Sequence, residues 1–185
     1  MPNPTFTPRQ MTLFPLTLAA CRPGLFRDFI RHSTDTHVWK YVDGTGALAE
    51  QPFLRDWDAA KRERMEENLR QCLRDGDDAF AAWDRQEIAG YCIVKAEPMG
   101  SRGQYRLLYM LQISKPYRGC GLGRQLFALA CAAARERGAE QLVISSSPSA
   151  KTVAFYRRMD CTEAREPFPA LLEAEPEDYL MECVL

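Results

Sequence analysis

A glycine-rich turn flanked by arginines is the clearest sign of chemistry in this sequence. Residues 116–127 read PYRGCGLGRQLF, in which Arg118 and Arg124 enclose Gly119, Gly121 and Gly123. The turn follows a predicted strand and precedes a predicted helix, whose first backbone N–H groups have no partner within the helix. Those groups and the helix dipole attract anions, and glycines let phosphate oxygens approach the backbone closely. The segment therefore predicts a phosphate-binding turn.

The spacing of the glycines excludes two common phosphate-binding motifs. A P-loop requires a lysine and then Ser or Thr after its last glycine, whereas Arg124 and Gln125 follow Gly123 here. A dinucleotide-binding turn reads G-x-G-x-x-G after the first strand of a βαβ unit, whereas this turn reads G-x-G-x-G after three predicted strands. A tight turn that is merely rich in glycine is the alternative to a ligand site.

The elements around the turn predict an α/β fold. Alternating apolar residues before the turn predict an antiparallel meander of three strands, at 79–84, 87–97 and 104–114. After the turn, helical and continuous apolar patterns predict helices at 122–137 and 149–159 and strands at 141–146, 161–166 and 178–185. We therefore expect a mixed sheet in which the meander precedes strand, helix, strand, helix and closing strands.

The first 78 residues carry a weaker pattern. We expect a strand at 11–17, a helix at 22–32, and a helix at 57–77 that is capped by Asp58. Between the two helices, Asp43-Gly44 predicts a hairpin turn inside 38–53.

The stretch LTLAAC at 16–21 has the form of a lipoprotein cleavage site. Pro15 interrupts the apolar run that a signal peptide requires, so we favour the strand and helix.

Composition indicates one soluble domain, spanning residues 1–185, in the cytoplasm. Net charge is −1, from 24 basic and 25 acidic residues, so nothing points to nucleic acid. No apolar segment approaches the roughly 20 residues of a membrane span, so we expect no membrane partner. Seven scattered cysteines without a C-x-x-C pair indicate reduced thiols. His32, Asp35 and His37 are too few ligands for a zinc site, and we expect no metal.

The glycine turn resembles the signature of the GNAT superfamily of N-acetyltransferases. That signature reads R/Q-x-x-G-x-G/A at the start of a helix. Arg118, Gly121 and Gly123 match it, and Gly119 fits the common form R-G-x-G-x-G. The resemblance is strong over 104–161 and rests elsewhere on the order of elements.

A second family pattern, N-x-x-A-x-x-L-Y, is met in part on the following helix. Phe155 and Tyr156 match its end, whereas Ser149 stands where asparagine is usual and Thr152 where alanine is usual. These two departures leave room for a protein that binds CoA without much turnover.

The resemblance implies acetyl-CoA as co-substrate. The backbone of Leu111, Gln112 and Ile113 would pair with the pantetheine arm like an added strand, and the N–H groups of the glycine turn would hold the pyrophosphate. The complete set of implied contacts is Leu111, Gln112, Ile113, Arg118, Gly119, Cys120, Gly121, Leu122, Gly123, Arg124, Ser149 and Tyr156. Cys120 is expected to fill a variable position of the turn rather than to act as a nucleophile.

The resemblance also implies direct attack of an amine on the thioester. Tyr156 matches the family's general acid, which protonates the leaving thiolate, and the N–H near Ile113 would stabilise the oxyanion. The sequence offers Glu97, at the end of a strand, as the candidate base, with Asp35 and Glu173 as alternatives.

Two functions remain open at this point. The first is an N-acetyltransferase that transfers an acetyl group to a primary amine of unknown identity. The second is a CoA-binding sensing or regulatory module with little turnover. Either would be a monomer or a homodimer.

We expect the aromatic-rich segment 33–57 to be a hairpin insertion that forms a wall of the acceptor pocket, with a satellite core or dimer contact as the alternative.

Overall fold

The computed structural model describes residues 11–185 and contains nine strands and four α-helices within them. The strands are β1 (Thr12–Pro15), β2 (His32–Val42), β3 (Thr45–Asp56), β4 (Asp78–Asp84), β5 (Glu87–Val94), β6 (Tyr105–Ile113), β7 (Gln141–Ser146), β8 (Thr162–Glu163) and β9 (Tyr179–Val184). The helices are α1 (Ala59–Arg74), α2 (Leu122–Glu136), α3 (Ala150–Arg157) and α4 (Pro169–Ala174). The first ten residues of the predicted domain lie outside the described part.

Seven of the strands form one mixed sheet, in the order β1-β4-β5-β6-β7-β9-β8. Only the β6–β7 pair within it is parallel, because α2 returns the chain across the sheet between these two strands. The predicted α/β class and the antiparallel meander, now β4 to β6, are confirmed. The predicted closing strand at 161–166 is reduced to β8, and the short helix α4 was not predicted.

The two faces of the sheet carry two separate apolar cores. Along β5, Cys92 faces a core that contains Leu126 of α2 and Val153 of α3. Its neighbour Tyr91 faces the opposite core, with Leu69 of α1. Alternate residues of a strand point to opposite faces, so the meander separates the core under α2 from the core under α1.

The helix predicted at 22–32 is wrong. Residues 23–28 form a series of turns, with i to i+3 hydrogen bonds only, and Gly24 has a φ of +80°. The apolar spacing that suggested a helix is real, because Phe26 and Phe29 are buried and Phe29 stacks on Trp57. The Glu66 carboxylate accepts hydrogen bonds from the N–H groups of Gly24 and Phe26. It thereby satisfies two N–H groups of the turns, of which a helix over 22–32 would have paired only that of Phe26.

Helix α1 begins as predicted. The Asp58 carboxylate accepts a hydrogen bond from the N–H of Lys61 at 2.6 Å, which is a standard N-terminal cap. Met65, Leu69 and Cys72 form the buried stripe of the helix. Gly76 follows its end with a φ of +83°, a conformation that glycine adopts without steric cost.

Strands β6 and β7 separate part-way along their length. They pair only from Tyr105–Gln141 to Leu108–Ile144, yet β6 continues to Ile113 and β7 to Ser146. On its other side β6 stays paired with β5 as far as Ile113. We call the space between the diverging ends of β6 and β7 the β6–β7 opening. It leaves one edge of β6 without a strand partner among the described residues.

Strands β2 and β3 form a separate two-stranded hairpin, as predicted, but longer. Its turn is Asp43-Gly44, both with positive φ, which is the geometry of a type I′ hairpin turn. The hairpin lies on the protein rather than projecting from it. The Trp39 N–H donates to Pro148 O at 2.7 Å, and the Tyr41 ring stacks on Tyr179.

Asp35 fastens this hairpin to α3. Its carboxylate accepts hydrogen bonds from the Ser149 hydroxyl and the Lys151 N–H, both at 2.9 Å. Thus the first turn of α3 is capped by a side chain more than a hundred residues earlier in the sequence. The His32 ring instead pairs with Asp56 at 3.0 Å, so His32 and Asp35 have separate partners.

Two further findings concern the whole described chain. All seven cysteines are free, and all but Cys120 are buried, including Cys21 of the LTLAAC stretch. Within residues 11–185 no helix combines the length and the apolar character needed to cross a membrane.

We predict that Asp35→Ala lowers the free energy of unfolding by about 0.5–2 kcal/mol at pH 7, the cost of losing a helix cap. Burial alone raises the pKa of Asp35, but hydrogen bonds from Lys151 and Ser149 outweigh it and the pKa is lowered. Because folding lowers this pKa, the ionised carboxylate stabilises the fold in full at pH values above the unfolded pKa of about 3.9. The stabilisation is lost as the pH falls through the pKa of the folded state.

The difference between wild type and Asp35→Ala should therefore be constant from pH 7 to 5 and shrink below about pH 4. Urea unfolding across this range measures it. Asp28→Ala, which removes an exposed carboxylate, serves as the control and should change stability little. A cost at pH 3 equal to that at pH 7 would contradict the role given to the charge.

Candidate functional site

The glycine turn has the geometry of an anion site. Gly119 and Gly121 have φ values of +79° and +85°, and a Cβ added to either would meet no described atom within 4 Å. Gly121 is the N-terminal cap of α2 and provides no side chain for capping. Among the described residues the N–H groups of 119–123 have no hydrogen-bond acceptor. The turn thus presents a row of unpaired donors in open space at a helix N-terminus.

Gly123 has a different reason to be glycine. Its φ is not positive, and a Cβ there would lie 3.2 Å from the Phe155 ring. The residue lets the first turn of α2 approach α3 closely. The glycine spacing therefore serves both the open turn and the packing of the two helices.

The two arginines of the signature are placed differently. Arg118 folds back, where its guanidinium donates to Ile113 O at 3.0 Å and to His32 O at 2.7 Å. Burial lowers the pKa of Arg118. Arg124 is exposed on the first turn of α2. Arg118 thus fixes the turn to the ends of neighbouring elements, while Arg124 leaves its charge at the surface beside the unpaired N–H groups.

Other residues that were predicted to contact acetyl-CoA lie around the same turn. Leu111, Gln112 and Ile113 form the free edge of β6 in the β6–β7 opening and lead directly to the turn. Cys120 is exposed, and its thiol donates to Tyr117 O. Ser149 is buried and donates its hydroxyl to Asp35, so that hydroxyl already has a protein acceptor.

Tyr156 is buried on α3, facing the core under α2. Its ring contacts Phe127 and Phe155 edge to face, with centroid separations of 6.0 and 5.1 Å. Among the described residues its hydroxyl has no hydrogen-bond partner. Burial raises the pKa of Tyr156, and the carboxylate of Asp178 raises it further. The phenol therefore stays protonated at neutral pH and is able to donate a proton.

Asp178 is an acid that the sequence did not single out. It precedes β9, is 6% exposed, and accepts a hydrogen bond from the Ser145 hydroxyl of β7 at 2.9 Å. Its other oxygen lies 3.8 Å from Arg55 of the hairpin. Burial raises the pKa of Asp178 although Ser145 and Arg55 oppose it. No local pattern distinguishes this aspartate from its acidic neighbours Glu175 and Glu177.

The fold does not place the predicted base, Glu97, near Tyr156 or the glycine turn. It is exposed in the bend after β5. Strand β5 runs antiparallel to β6, with Gly90 opposite Ile113 and Val94 opposite Leu108. Glu97 therefore lies beyond the end of the ladder that is remote from the glycine turn. Glu173 is exposed on α4, and Asp35 is occupied in capping α3.

Comparison with known proteins identifies the family. A model of the acetyltransferase (GNAT) family matches residues 44–160, a span that includes the glycine turn and Tyr156. No curated protein matches the sequence.

Solved structures share the fold at low identity. One is nourseothricin acetyltransferase, with 20% identity, a TM-score of 0.64, and coverage of 93% of this chain and 95% of that chain. A putative streptothricin acetyltransferase from Bacillus anthracis in complex with acetyl coenzyme A has 11% identity, a TM-score of 0.63, and coverage of 94% and 96%. A GNAT family acetyltransferase from Elizabethkingia anophelis with acetyl-CoA bound has 15% identity, a TM-score of 0.57, and coverage of 95% and 98%.

The family model covers well over half of the chain, and it contains the open turn at the start of α2, the free edge of β6 and the buried tyrosine of α3. This chain belongs to the acetyltransferase (GNAT) family and is an acyltransferase.

Proposed function

We propose that the protein transfers an acetyl group from acetyl-CoA directly to a primary amine in the β6–β7 opening. One observation carries the proposal. The free edge of β6 leads without interruption into the unpaired N–H groups of 119–123, and the Tyr156 phenol lies on the adjoining helix. Family membership and the two related structures with acetyl-CoA bound support the choice of donor.

The residues present fit a CoA thioester. The free edge of β6 at Leu111–Ile113 can pair with the amides of a pantetheine arm in the manner of an added strand. The open backbone at Gly119 and Gly121 admits a pyrophosphate, and Arg124 adds charge beside it. Acetyl-CoA supplies the activated acyl group. The Ile113 region orients it and offers a backbone N–H to the developing oxyanion.

Tyr156 acts as the general acid. Its buried phenol is protonated at neutral pH, and its hydroxyl has no competing acceptor among residues 11–185. A phenol with a raised pKa transfers a proton to a thiolate only when both are held in contact away from water, where desolvation also raises the pKa of the thiol. The apolar walls of Phe127 and Phe155 provide that environment.

Asp178 replaces Glu97 as the proposed base. It is buried, its charge influences Tyr156, and burial raises its pKa toward the range in which a carboxylate accepts a proton efficiently. The hairpin contributes Arg55 beside Asp178. This contact supports the proposal that segment 33–57 forms one wall of the acceptor pocket.

The proposed compartment is the cytoplasm, on the strength of seven free cysteines. The proposed assembly is a monomer or a homodimer.

Thiol release separates the enzyme from a CoA-binding module. With acetyl-CoA and a panel of primary amines, the enzyme should release free CoA at a rate that depends on the amine. Saturable binding of acetyl-CoA without amine-dependent release would support the sensing or regulatory module instead.

We predict that Gly121→Val weakens acetyl-CoA binding by roughly tenfold or more, since charge-assisted hydrogen bonds are worth about 1.5–3 kcal/mol. Its side chain would enter the space that the phosphates need. Gly138→Val is the matched control, because Gly138 has a φ of +75° and equally open surroundings at the other end of α2. Calorimetry should show weakened binding in the first variant only. Equal affinities in the two variants would exclude the turn as the phosphate site.

We predict that Tyr156→Phe lowers kcat by roughly 10²-fold, the lower end for loss of a positioned acid. Affinity for acetyl-CoA and the melting temperature should change little, because the hydroxyl has no hydrogen-bond partner in the described structure. Steady-state kinetics across pH 6 to 10, with calorimetric binding, measure both effects. Wild-type turnover by the variant at every pH would remove Tyr156 from the reaction.

A further inference from the structure

Arg31 is a buried cation without a partner. It is 6% exposed, and its Nε and Nη1 atoms have no hydrogen-bond acceptor among residues 11–185. The other buried charged side chains each accept at least one hydrogen bond in the described structure, although one oxygen of Asp178 and one of Glu182 accept none; they are Glu66, Asp77, Asp178 and Glu182. Burial of an unpaired guanidinium is costly, so this side chain requires an explanation.

The backbone holds Arg31 firmly beside the end of β6. Its carbonyl accepts from the Trp57 N–H at 3.1 Å. The preceding residue, Ile30, donates to Ser114 Oγ at 3.0 Å and accepts from the Lys115 N–H at 2.9 Å. The unpaired side chain is therefore not the result of a loose segment.

Arg31 lies among the groups that surround the reaction site. Its charge interacts with Tyr156 on α3, Tyr91 on β5, Arg118 at the glycine turn and Arg55 on the hairpin. Burial and the two nearby guanidinium groups lower the pKa of Arg31 to about 10, so it remains a cation at neutral pH. The guanidinium of Arg118 donates to the O atom of His32, and Arg55 is paired with Ser33, so both arginines lie close to Arg31 at the start of β2.

A second unpaired donor accompanies Arg31. The Tyr91 hydroxyl is fully buried and has no hydrogen-bond partner among the described residues. Arg31 and Tyr91 together offer at least three N–H and O–H donors, and only the Tyr91 oxygen can accept a hydrogen bond. The ordinary reason for such a set is a missing anion or water, and the surplus of positive charge favours an anion.

The CoA phosphates do not fit this position. The turn that receives them is open and exposed, whereas Arg31 is buried beside the end of β6. Asp178 does not pair with Arg31 in this structure: one of its oxygens accepts from Ser145, and the other lies 3.8 Å from Arg55. A ligand other than CoA must supply the negative charge.

We infer that the acceptor is an amine that also carries a carboxylate, and that Arg31 and Tyr91 bind this carboxylate while Asp178 faces the amine. The inference rests on the proposed function. A guanidinium binds a carboxylate through charge-assisted hydrogen bonds, and Arg31 has unpaired N–H groups with which to form them. Arg31 lies beside the end of β6 and Asp178 beside the end of β7, at the two sides of the β6–β7 opening, so an amino acid bound there would satisfy both charges at once. Both residues lie outside the span matched by the family model.

Matched pairs of acceptors test the inference. We would measure kcat/KM for the standard L-amino acids and for the carboxamide of each, which keeps the amine and removes the negative charge. At least one amino acid should be acetylated ten times or more faster than its amide. The amide has the less basic amine and is more often neutral at pH 7, so this preference would run against intrinsic reactivity. Equal or greater rates for every amide would overturn the inference.

Variants of Arg31 test whether this side chain causes a preference for amino acids over their amides. Arg31→Met should abolish the preference while leaving acetyl-CoA affinity within about twofold, and Arg31→Lys should restore part of it. Arg70→Met is the control, because Arg70 is a partly buried arginine with hydrogen bonds to Glu66 and Cys21 O. It should keep the preference. A preference that survives in Arg31→Met would overturn the inference.

Melting temperature provides a check on folding. Removing an unpaired buried charge should leave the melting temperature of Arg31→Met unchanged or higher, whereas Arg70→Met should lower it. A fall in Arg31→Met as large as that in Arg70→Met would mean that Arg31 has a structural role, contrary to the inference.

Binding without turnover separates this inference from the proposed function. Calorimetry of the same amino acids and amides on protein saturated with CoA, rather than acetyl-CoA, reports the carboxylate site directly. Tighter binding of an amino acid, lost in Arg31→Met, supports the site even if no amine releases thiol. Absence of selective binding for every pair refutes the site, even if simple amines are acetylated.

Discussion

The divergence of β6 and β7 after Leu108 is the constraint on which the rest of the structure depends. Because the two strands are parallel, their carboxyl ends lie at the same edge of the sheet, and the helices that follow them both begin there. The N-terminus of α2 supplies unpaired N–H groups, and α3 supplies Tyr156. If the strands stayed paired, β6 would have no free edge. The glycine turn and Tyr156 would then not be joined by an open space in which a ligand could bind.

The hairpin completes this arrangement by a contact that no local pattern contains. Ser149 stands where the family pattern has asparagine, and its side chain caps no N–H of α3. Asp35 accepts the Lys151 N–H instead. A cap supplied by the hairpin couples the position of α3 to the docking of β2. The departure from the family pattern at Ser149 is thus accompanied by a compensating side chain, which weakens it as an argument against catalysis.

Local patterns in the sequence were sufficient for most elements but not for the centre of the site. Period-two alternation predicted the meander, and the glycine signature predicted the start of α2, because both depend on neighbouring residues. The helix predicted at 22–32 failed because Pro23-Gly24 and the distant Glu66 carboxylate favour turns over the helical pattern of Phe26 and Phe29. Arg31 and Asp178 could not be found, since their positions depend on packing of the 16–31 segment against the meander and on pairing of β9 with β7.

The local charge near the proposed reaction site differs from the charge of the protein as a whole. The chain as a whole is nearly neutral, so its long-range field is weak, yet Arg31, Arg55 and Arg118 lie close to one another at the start of β2. Backbone carbonyls hold Arg118, and Asp178 approaches Arg55, whereas Arg31 has no acceptor. A buried charge of this kind lowers the stability of the empty protein and is relieved when an anion binds. The same feature that weakens the fold therefore strengthens selection of a negatively charged ligand, as expected where selection acts on function rather than on stability.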